Sequence, residues 1–386
     1  MKKTRENWRQ EAIAGVTTFL TLSYIVVVNP SILSSGTGMA FSGVLTATVL
    51  LGFSMTLLMG LYANLPYAVA PGMGLNAFFA MSLVVGRQIP WPIALGMVFW
   101  AGVLFLLISA TPLRVKVAQA IPFNLRLASG AGIGVFLTLI GLKNAGFIAA
   151  DPVTLVRLAD LDGKTLLSLL GLLLTAVLVR RRNPLAFLLG IVFVTGSASF
   201  LGWVPAPAHW IEMPDFQSVF LKLDIWGALR FAFLPAILAV FFTDLFDSLS
   251  TFVGVSHAAG LVDRRGEPVR LKEGLIVDAV ATLGAGLVGT SSGTAYVESA
   301  AGIEAGGRTG LTSVFTALCF LPCFFFAPVA GAIPIYATAP ALILVGAGMF
   351  RSTLLTDINE IAGSTVPCGR LPAAIRASGT SAVSPV

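Results

Sequence analysis

Four acidic or amide side chains stand out because they occur within long apolar stretches of the sequence. Asp244 and Asp247 follow an apolar run that begins at Phe231, and their spacing of three residues places them on one face of a helix. Glu298 lies among small residues and hydroxyls, and Asn76 follows a Pro-Gly segment. Ionisable groups inside membrane spans mark substrate or proton pathways. These residues predict a polar site at membrane depth, where carboxylates could bind a ligand or carry a proton.

Two segments around these residues are too polar and too rich in glycine for ordinary lipid-facing helices. They read PYAVAPGMGLNAFF over residues 66–79 and GTSSGTAYVESAAGIEAGGR over residues 289–308. Irregular backbone at membrane depth is tolerated only where protein buries it or where it lines a cavity. A helix that begins near Leu75 would direct free backbone N–H groups toward a ligand. We therefore predict substrate contacts from Asn76, from the ring of Phe78, and from Thr294 and Glu298, whose spacing of four residues would place them on one helix face.

Each of these motifs also has a purely structural interpretation. The segment from Pro71 to Gly74 could be a kink that binds nothing, and Asp244 and Asp247 could lie where a helix end meets water. The first apolar stretch carries a polar stripe, and its Asn29-Pro30 pair is expected to end the helix near the outer surface and to have an architectural role. That stripe consists of Thr17, Thr21 and Tyr24.

The composition predicts an all-α polytopic membrane protein. The chain has 386 residues, of which 56% are hydrophobic and 11% are charged, whereas a soluble protein would be about a quarter charged. The apolar residues form blocks close to the roughly 20 residues that a helix needs to cross a bilayer. We predict about twelve spans, of which the third and the tenth are broken: 12–34, 41–62, 66–86, 92–110, 127–142, 164–180, 185–203, 228–249, 271–289, 290–304, 310–330 and 337–350.

The basic residues predict the orientation of these spans. When the N-terminus is placed in the cytoplasm, most lysines and arginines up to residue 351 fall in cytoplasmic loops, as the positive-inside rule requires. The net charge of +6 comes from these short loops, so that no nucleic-acid partner is predicted. The sequence has no phosphate-binding loop, nucleophile triad or metal-ligand cluster, and its three cysteines lack a metal-binding spacing. Neither an enzyme, nor a metal site, nor a cofactor is expected.

The two halves of the chain repeat one pattern of spans. Spans 1–5 run long, long, broken, long, long, and spans 8–12 repeat that order about 220 residues later, which places Asn76 opposite Glu298. Seven spans separate the two units, so the units have opposite topology. Inverted repeats with broken helices at matching positions are the signature of secondary transporters.

Four segments resemble the AzgA-type purine permeases of the nucleobase–ascorbate transporter (nucleobase:cation symporter) superfamily. They are GVTTFLTLSYIVVVNP at 15–30, APGMGLNAFFA at 70–80, FFTDLFDSLSTFVG at 241–254 and GTSSGTAYVESAAGIEAGGRTG at 289–310. The resemblance covers residues 1 to about 350. It implies a seven-plus-seven inverted-repeat fold with core and gate domains, an elevator-like movement of the core, and Asn76, Asp244 and Glu298 as substrate residues supported by Asp247.

That resemblance divides the chain into domains. The core would comprise residues 1–126, 228–309 and span 11 at 310–336, and the gate would comprise residues 127–227 and span 12 at 337–350. Residues 351–386 are expected to form a polar tail, disordered or frame-shifted, in place of the family's spans 13 and 14. The run Ser248-Leu-Ser-Thr also replaces the more usual Thr-Thr-Gly-Thr.

The functional hypothesis is proton-coupled uptake of a purine nucleobase across the inner or plasma membrane, with the proton gradient as the energy source. Glu298 and Asp244 would bind the base edge, Asn76 would orient it, and Asp247 and Glu298 would couple protons. The sequence does not rank adenine, guanine and hypoxanthine. The alternatives are a uracil, xanthine or anion transporter of the same fold, a channel, and an inactive truncated permease, and a homodimer is compatible with the resemblance.

Overall fold

The computed structural model describes residues 8–111, 123–152, 154–205, 209–262 and 268–364, with side chains described except at 123–130, 155, 257–259 and 351–364. The first part of the chain forms α1 (Trp8–Leu22), α2 (Ile25–Ser34), α3 (Phe41–Leu58), β1 (Val69–Pro71), α4 (Met73–Ala77), α5 (Trp91–Ala110), α6 (Phe123–Asn144), β2 (Ile148–Asp151), β3 (Leu155–Leu158), α7 (Gly163–Arg180) and α8 (Ala186–Phe200). The second part forms α9 (Leu234–Ala259), α10 (Leu271–Val288), β4 (Gly293–Ala295), α11 (Ser299–Glu304), α12 (Gly310–Phe320), α13 (Ala327–Gly331) and α14 (Ile335–Ser364).

Wider and tighter helical turns extend several of these elements. Turns of π-helix continue α3 through Met59–Ala63 and α4 through Phe78–Gly86. Short 3-10 helices occupy Gly227–Leu229, Phe231–Phe233 and Leu321–Phe325. Within the described residues, five helical segments are long and apolar enough to cross a bilayer, and five shorter apolar helices accompany them.

The two broken segments meet each other. β1 pairs with β4 in an antiparallel sheet, with Val69 opposite Ala295 and Pro71 opposite Gly293. Two further backbone hydrogen bonds extend this pairing. The Gly72 N–H donates to the Ser292 carbonyl at 2.8 Å, and the Tyr296 N–H donates to the Ala68 carbonyl at 2.9 Å. Each strand thereby satisfies the backbone of the other, which is why extended chain is stable at this depth. The prediction that spans 3 and 10 are broken is confirmed, but the short sheet between them was not predicted.

The helices form two packed groups. α6, α7, α8 and α14 pack against one another and carry two small buried clusters, one around Val194 and one around Ala339. α1–α5 and α9–α13 hold most of the main hydrophobic core. The groups meet where α6 packs on α4 and α9 and where α8 packs on α1. The assignment of these groups to core and gate domains stays a prediction.

Three predicted spans differ from the observed elements. The first span is interrupted by a turn at Ser23 and Tyr24, and Pro30 lies inside α2, so the expectation that Asn29-Pro30 ends the helix was wrong. The eleventh span comprises α12, a 3-10 helix and α13, since Pro322 and Pro328 interrupt regular α-helix there. The last helix continues to Ser364 instead of ending at residue 350, and the rest of the predicted tail, 365–386, lies outside the described residues.

The N-terminal end of α12 is held at close range by two other elements. The buried carboxylate of Glu11 on α1 accepts hydrogen bonds from the Arg308 N–H at 3.2 Å and from the Thr312 hydroxyl. Asn64 accepts the Gly310 N–H at 2.8 Å through its side-chain oxygen. A carboxylate at a helix N-terminus is stabilised by the unpaired N–H groups and the helix dipole. These contacts fix α12 against α1 and the end of α3.

A valine at Gly310 is expected to destabilise the protein by about 1–3 kcal/mol, the usual range for overpacking. A Cβ at Gly310 would lie 2.0 Å from the Gly60 carbonyl oxygen and 2.8 Å from Asn64 Cα, and backbone cannot move aside as a flexible side chain can. The measurement is the thermal unfolding midpoint of the purified protein in detergent. The control is Gly254→Ala on α9, because a Cβ there meets nothing within 4 Å. Equal midpoints for Gly310→Val and wild type would contradict the close packing.

Candidate functional site

Asp244 lies at the centre of a buried polar network beside the strand crossing. Its Oδ2 accepts hydrogen bonds from the Ser292 hydroxyl at 2.6 Å and from the Thr282 hydroxyl. The Thr282 oxygen also lies 3.0 Å from the Gly293 carbonyl. Asp244 is fully buried. The network therefore joins α9 and α10 to the strand β4 through one carboxylate.

Asn76 lies on the other side of the strand crossing, in α4. It is fully buried, and its Oδ1 accepts a hydrogen bond from the Ser291 hydroxyl. Within the described residues, the Asn76 Nδ2 and the Asp244 Oδ1 are buried without a hydrogen-bond partner. Buried polar atoms are nearly always paired, so an unpaired donor and an unpaired acceptor near one strand crossing are features of a ligand site.

Thr294 belongs to the same buried region, but not in the way that we expected. It lies in β4 opposite Ala70, and its hydroxyl is 3.3 Å from that of Ser248. The spacing of four residues to Glu298 predicted one helix face for both residues. That expectation was wrong, because Thr294 is in extended chain and Glu298 immediately precedes α11.

Glu298 is half-buried and lines a cavity of about 440 Å³. Its Oε1 accepts a hydrogen bond from the Tyr24 hydroxyl at 2.7 Å. The cavity lies between α1, the α11 segment and the start of α8. The other side chains on its wall are Thr17, Thr21, Val179, Arg182, Asn183, Pro184, Ala186, Phe187, Ala301 and Glu304. Its volume is within the range of about 300–1,000 Å³ that is typical of small-molecule sites.

Asp247 and Phe78 occupy two different surroundings. Asp247 is half-buried on α9 and is an electrostatic neighbour of Glu298, and its charge also influences Asp244. Phe78 lines a separate cavity of about 290 Å³ between α4, α6 and α9, together with Thr243. The six predicted side chains therefore occupy three surroundings. Asn76, Asp244 and Thr294 lie in the buried network, and Phe78 lines the second cavity. Glu298 lines the larger cavity, and Asp247 is its electrostatic neighbour.

Asp278 is a buried polar residue of this region that the sequence motifs did not single out, whereas Asn29 was named for an architectural role. Asp278 on α10 is fully buried and accepts the Ala295 N–H at 3.2 Å. The Asn29 amide donates to the Thr48 hydroxyl at 2.7 Å and to the Thr290 hydroxyl at 2.9 Å. Asp278 could have been found by the criterion that singled out Asp244, namely a polar side chain within an apolar helix.

The next question for this region is whether its side chains could bind a metal ion. Among the residues that the structure describes, no group of three or more histidine, cysteine, aspartate or glutamate side chains is positioned to hold a metal ion. The polar groups that face the larger cavity are carboxylates, hydroxyls, one amide and one guanidinium. This arrangement can exchange hydrogen bonds and protons with a small polar molecule.

Two broken segments that cross inside a bundle of apolar helices, beside a buried polar site, define a secondary transporter. The fold agrees with solved structures of this class. The transmembrane domain of the cyanobacterial bicarbonate transporter BicA superposes with a TM-score of 0.69 over 94% of this chain and 98% of that chain, at 19% identity. Murine Slc26a9, an anion transporter, superposes with a TM-score of 0.63 over 94% of this chain and 63% of that chain, at 11% identity. These likenesses establish the inverted-repeat transporter fold and nothing about the substrate.

Residues 9–360 match the model of the permease family that is abbreviated Xan_ur_permease, and the chain belongs to this family. It is 45% identical over 361 residues to the putative permease MJ0326 of Methanocaldococcus jannaschii, covering 93% of this chain and 83% of that protein. It is 42% identical to the adenine permease AdeP of Escherichia coli, covering 92% and 80%, and 39% identical to the guanine/hypoxanthine permease PbuO of Bacillus subtilis, covering 94% and 85%. The family predicted from the sequence motifs is confirmed, and the chain is a multi-pass membrane transporter and not an enzyme.

Proposed function

We propose that this chain takes up purine nucleobases together with protons by alternating access. The observation that carries the proposal is the Glu298 carboxyl group, which is half-buried on the wall of a cavity large enough for a small ligand. Relatives at 42% and 39% identity are named adenine and guanine/hypoxanthine permeases, which supports the choice of purines.

The chemistry of a purine base suits these groups. A purine is planar and neutral, and its edges carry N–H donors and ring-nitrogen acceptors. A carboxylate accepts N–H bonds from such an edge, and an amide supplies both a donor and an acceptor. Glu298 and Asp244 would bind the base edge, Asn76 would orient the base through its unpaired Nδ2, and Thr294 would hold the strand beside it.

Proton coupling is assigned to Asp247 and Glu298, because these two carboxyl groups are electrostatic neighbours and each is accessible from a half-buried position. Binding a proton at one of them changes the field at the other. No further cofactor is required for this cycle, since the proton gradient would supply the energy.

The movement would carry the core past the gate. In this scheme α1–α5 and α9–α13 form the core, α6–α8 and α14 form the gate, and the 440 Å³ cavity lies where α1 faces the start of α8. Phe78 would face the gate from the second cavity, beside α6. The protein would lie in the inner or plasma membrane with its N-terminus in the cytoplasm, and a homodimer formed through the gate is compatible with this arrangement.

The test is uptake of labelled hypoxanthine, adenine and guanine by cells that lack their own purine transporters. We expect saturable accumulation of at least one of these bases, which a protonophore abolishes. Competition by the unlabelled bases ranks the three purines. Strong competition by uracil or xanthine, or uptake of anions alone, would replace the purine assignment, and flux that neither saturates nor depends on protons would indicate a channel.

A further inference from the structure

Tyr24 is the one side chain in the described structure that donates a side-chain hydrogen bond to Glu298. It lies in the turn that separates α1 from α2, and it is 1% exposed. Its hydroxyl is 2.7 Å from Glu298 Oε1. The two residues are 274 positions apart in the sequence, so that only the packing of the two repeats brings them together.

We propose that Tyr24 is a positioning residue that orients the Glu298 carboxyl group toward the purine. Phe187 packs on the Tyr24 ring from the other helix group, so this orientation depends on how the two helix groups pack together. This proposal rests on the proposed function and assigns a role to residues outside the four motif carboxylates and amides.

The hydrogen bond from Tyr24 makes the two carboxyl oxygens of Glu298 inequivalent. Because the Tyr24 hydroxyl donates to Oε1, that oxygen is engaged and the carboxyl plane is fixed. Oε2 is then the oxygen that is left to accept a purine N–H or to take a proton. A carboxylate without this restraint would rotate freely in a cavity of about 440 Å³, and ordering it would weaken binding.

Phe187 supports Tyr24 from the other helix group. The two ring centroids are 4.9 Å apart with an interplanar angle of 49°. Phe187 lies in α8, at the point where that helix packs on α1, and it lines the same cavity as Glu298. When α1 moves relative to α8, the support of the Tyr24 ring changes, and with it the restraint on Glu298. Substrate affinity would thereby differ between the two ends of the transport movement.

The test separates the hydroxyl from the ring. Tyr24→Phe keeps the ring against Phe187 and removes only the hydrogen bond to Glu298. Without that bond, substrate binding has to order the Glu298 side chain, so the KM for hypoxanthine is expected to rise by about two- to tenfold. Vmax per molecule of protein in the membrane is expected to stay within about twofold, because an interaction that positions the ligand mainly affects binding. The matched control is Tyr62→Phe, since Tyr62 is 51% exposed and is not one of the residues that line the cavity.

A second variant covers the case in which Tyr24→Phe does not reach the membrane. Phe187→Leu leaves the hydroxyl in place and removes the ring contact, and it is expected to raise KM by a smaller factor than Tyr24→Phe. A purely structural role of Tyr24 would lower the amount of protein without changing KM. Unchanged KM in both variants would overturn the positioning role while wild-type uptake leaves the proposed function intact, and absence of purine uptake by the wild type would overturn both.

Discussion

Hypoxanthine uptake is expected to fall by at least about 100-fold when Glu298 is replaced by glutamine, which corresponds to about 2.7 kcal/mol. Glutamine keeps the shape of the side chain and can still accept the Tyr24 hydroxyl. It cannot take a proton, and it places an amide NH2 where one carboxyl oxygen was. A purine N–H would then face a donor instead of an acceptor, and a site built to pair a particular donor rejects a mismatch strongly.

The control for this variant is Glu304→Gln. Glu304 lines the same cavity, but it pairs with Arg182 at 3.9 Å with both side chains largely exposed. Exposed ion pairs contribute about 0–1 kcal/mol, so uptake by the control is expected to stay close to the wild-type value. Uptake by Glu298→Gln that equals the control at equal protein abundance would remove Glu298 from the mechanism.

Asparagine at position 244 is expected to lower uptake by about 100-fold or more while the protein still folds. The side-chain oxygen of asparagine can still accept from Thr282 and Ser292, so the network that joins α9, α10 and β4 is retained. The amide NH2 then occupies the place of Oδ1, the carboxyl oxygen that has no partner among the described residues. A donor at that position opposes the N–H edge that we assign to Asp244.

Asp160→Asn provides the matched control, because Asp160 is an exposed aspartate in the segment before α7. The unfolding midpoint in detergent distinguishes a loss of binding from a loss of structure. Asp244→Leu is expected to lower that midpoint, since leucine would remove the buried carboxylate that accepts from the Ser292 and Thr282 hydroxyls. Wild-type uptake by Asp244→Asn would show that this carboxylate is structural only.

These two expectations differ in kind. Glu298 lies on a cavity wall, so its substitution tests direct contact with a ligand. Asp244 is fully buried behind the strand crossing, so its substitution tests whether the buried network reaches the ligand at all. A large effect of Glu298→Gln together with a small effect of Asp244→Asn would place the purine entirely on the side of the larger cavity.

The sequence alone was sufficient to predict the class of protein, the positions of its breaks and the stretches that contain the candidate site residues. Apolar blocks of roughly 20 residues favour helices in a bilayer, because a helix of that length spans the hydrocarbon and pairs its backbone polar groups internally. The segments at 66–79 and 289–308 are too rich in glycine, proline and hydroxyls for a lipid-facing helix, and β1 and β4 form within them. Local composition is sufficient for these conclusions because each depends on the environment of one segment.

Which side chains contact one another depends on how distant segments pack together. The spacing of Asp244 and Asp247 predicted a common helix face, but the packing of α10 and β4 buries the first fully and leaves the second half-buried near Glu298. Thr17, Thr21 and Tyr24 were predicted as a stripe with no assigned partner, and the fold brings the stripe to Glu298 across 274 residues. Helical periodicity determines on which side of a helix a residue lies. Which residue it contacts on that side depends on packing between segments that are distant in the sequence. The polar segment around Glu298 can therefore be predicted from the sequence, whereas the hydrogen bond between Glu298 and Tyr24 is seen only in the folded chain.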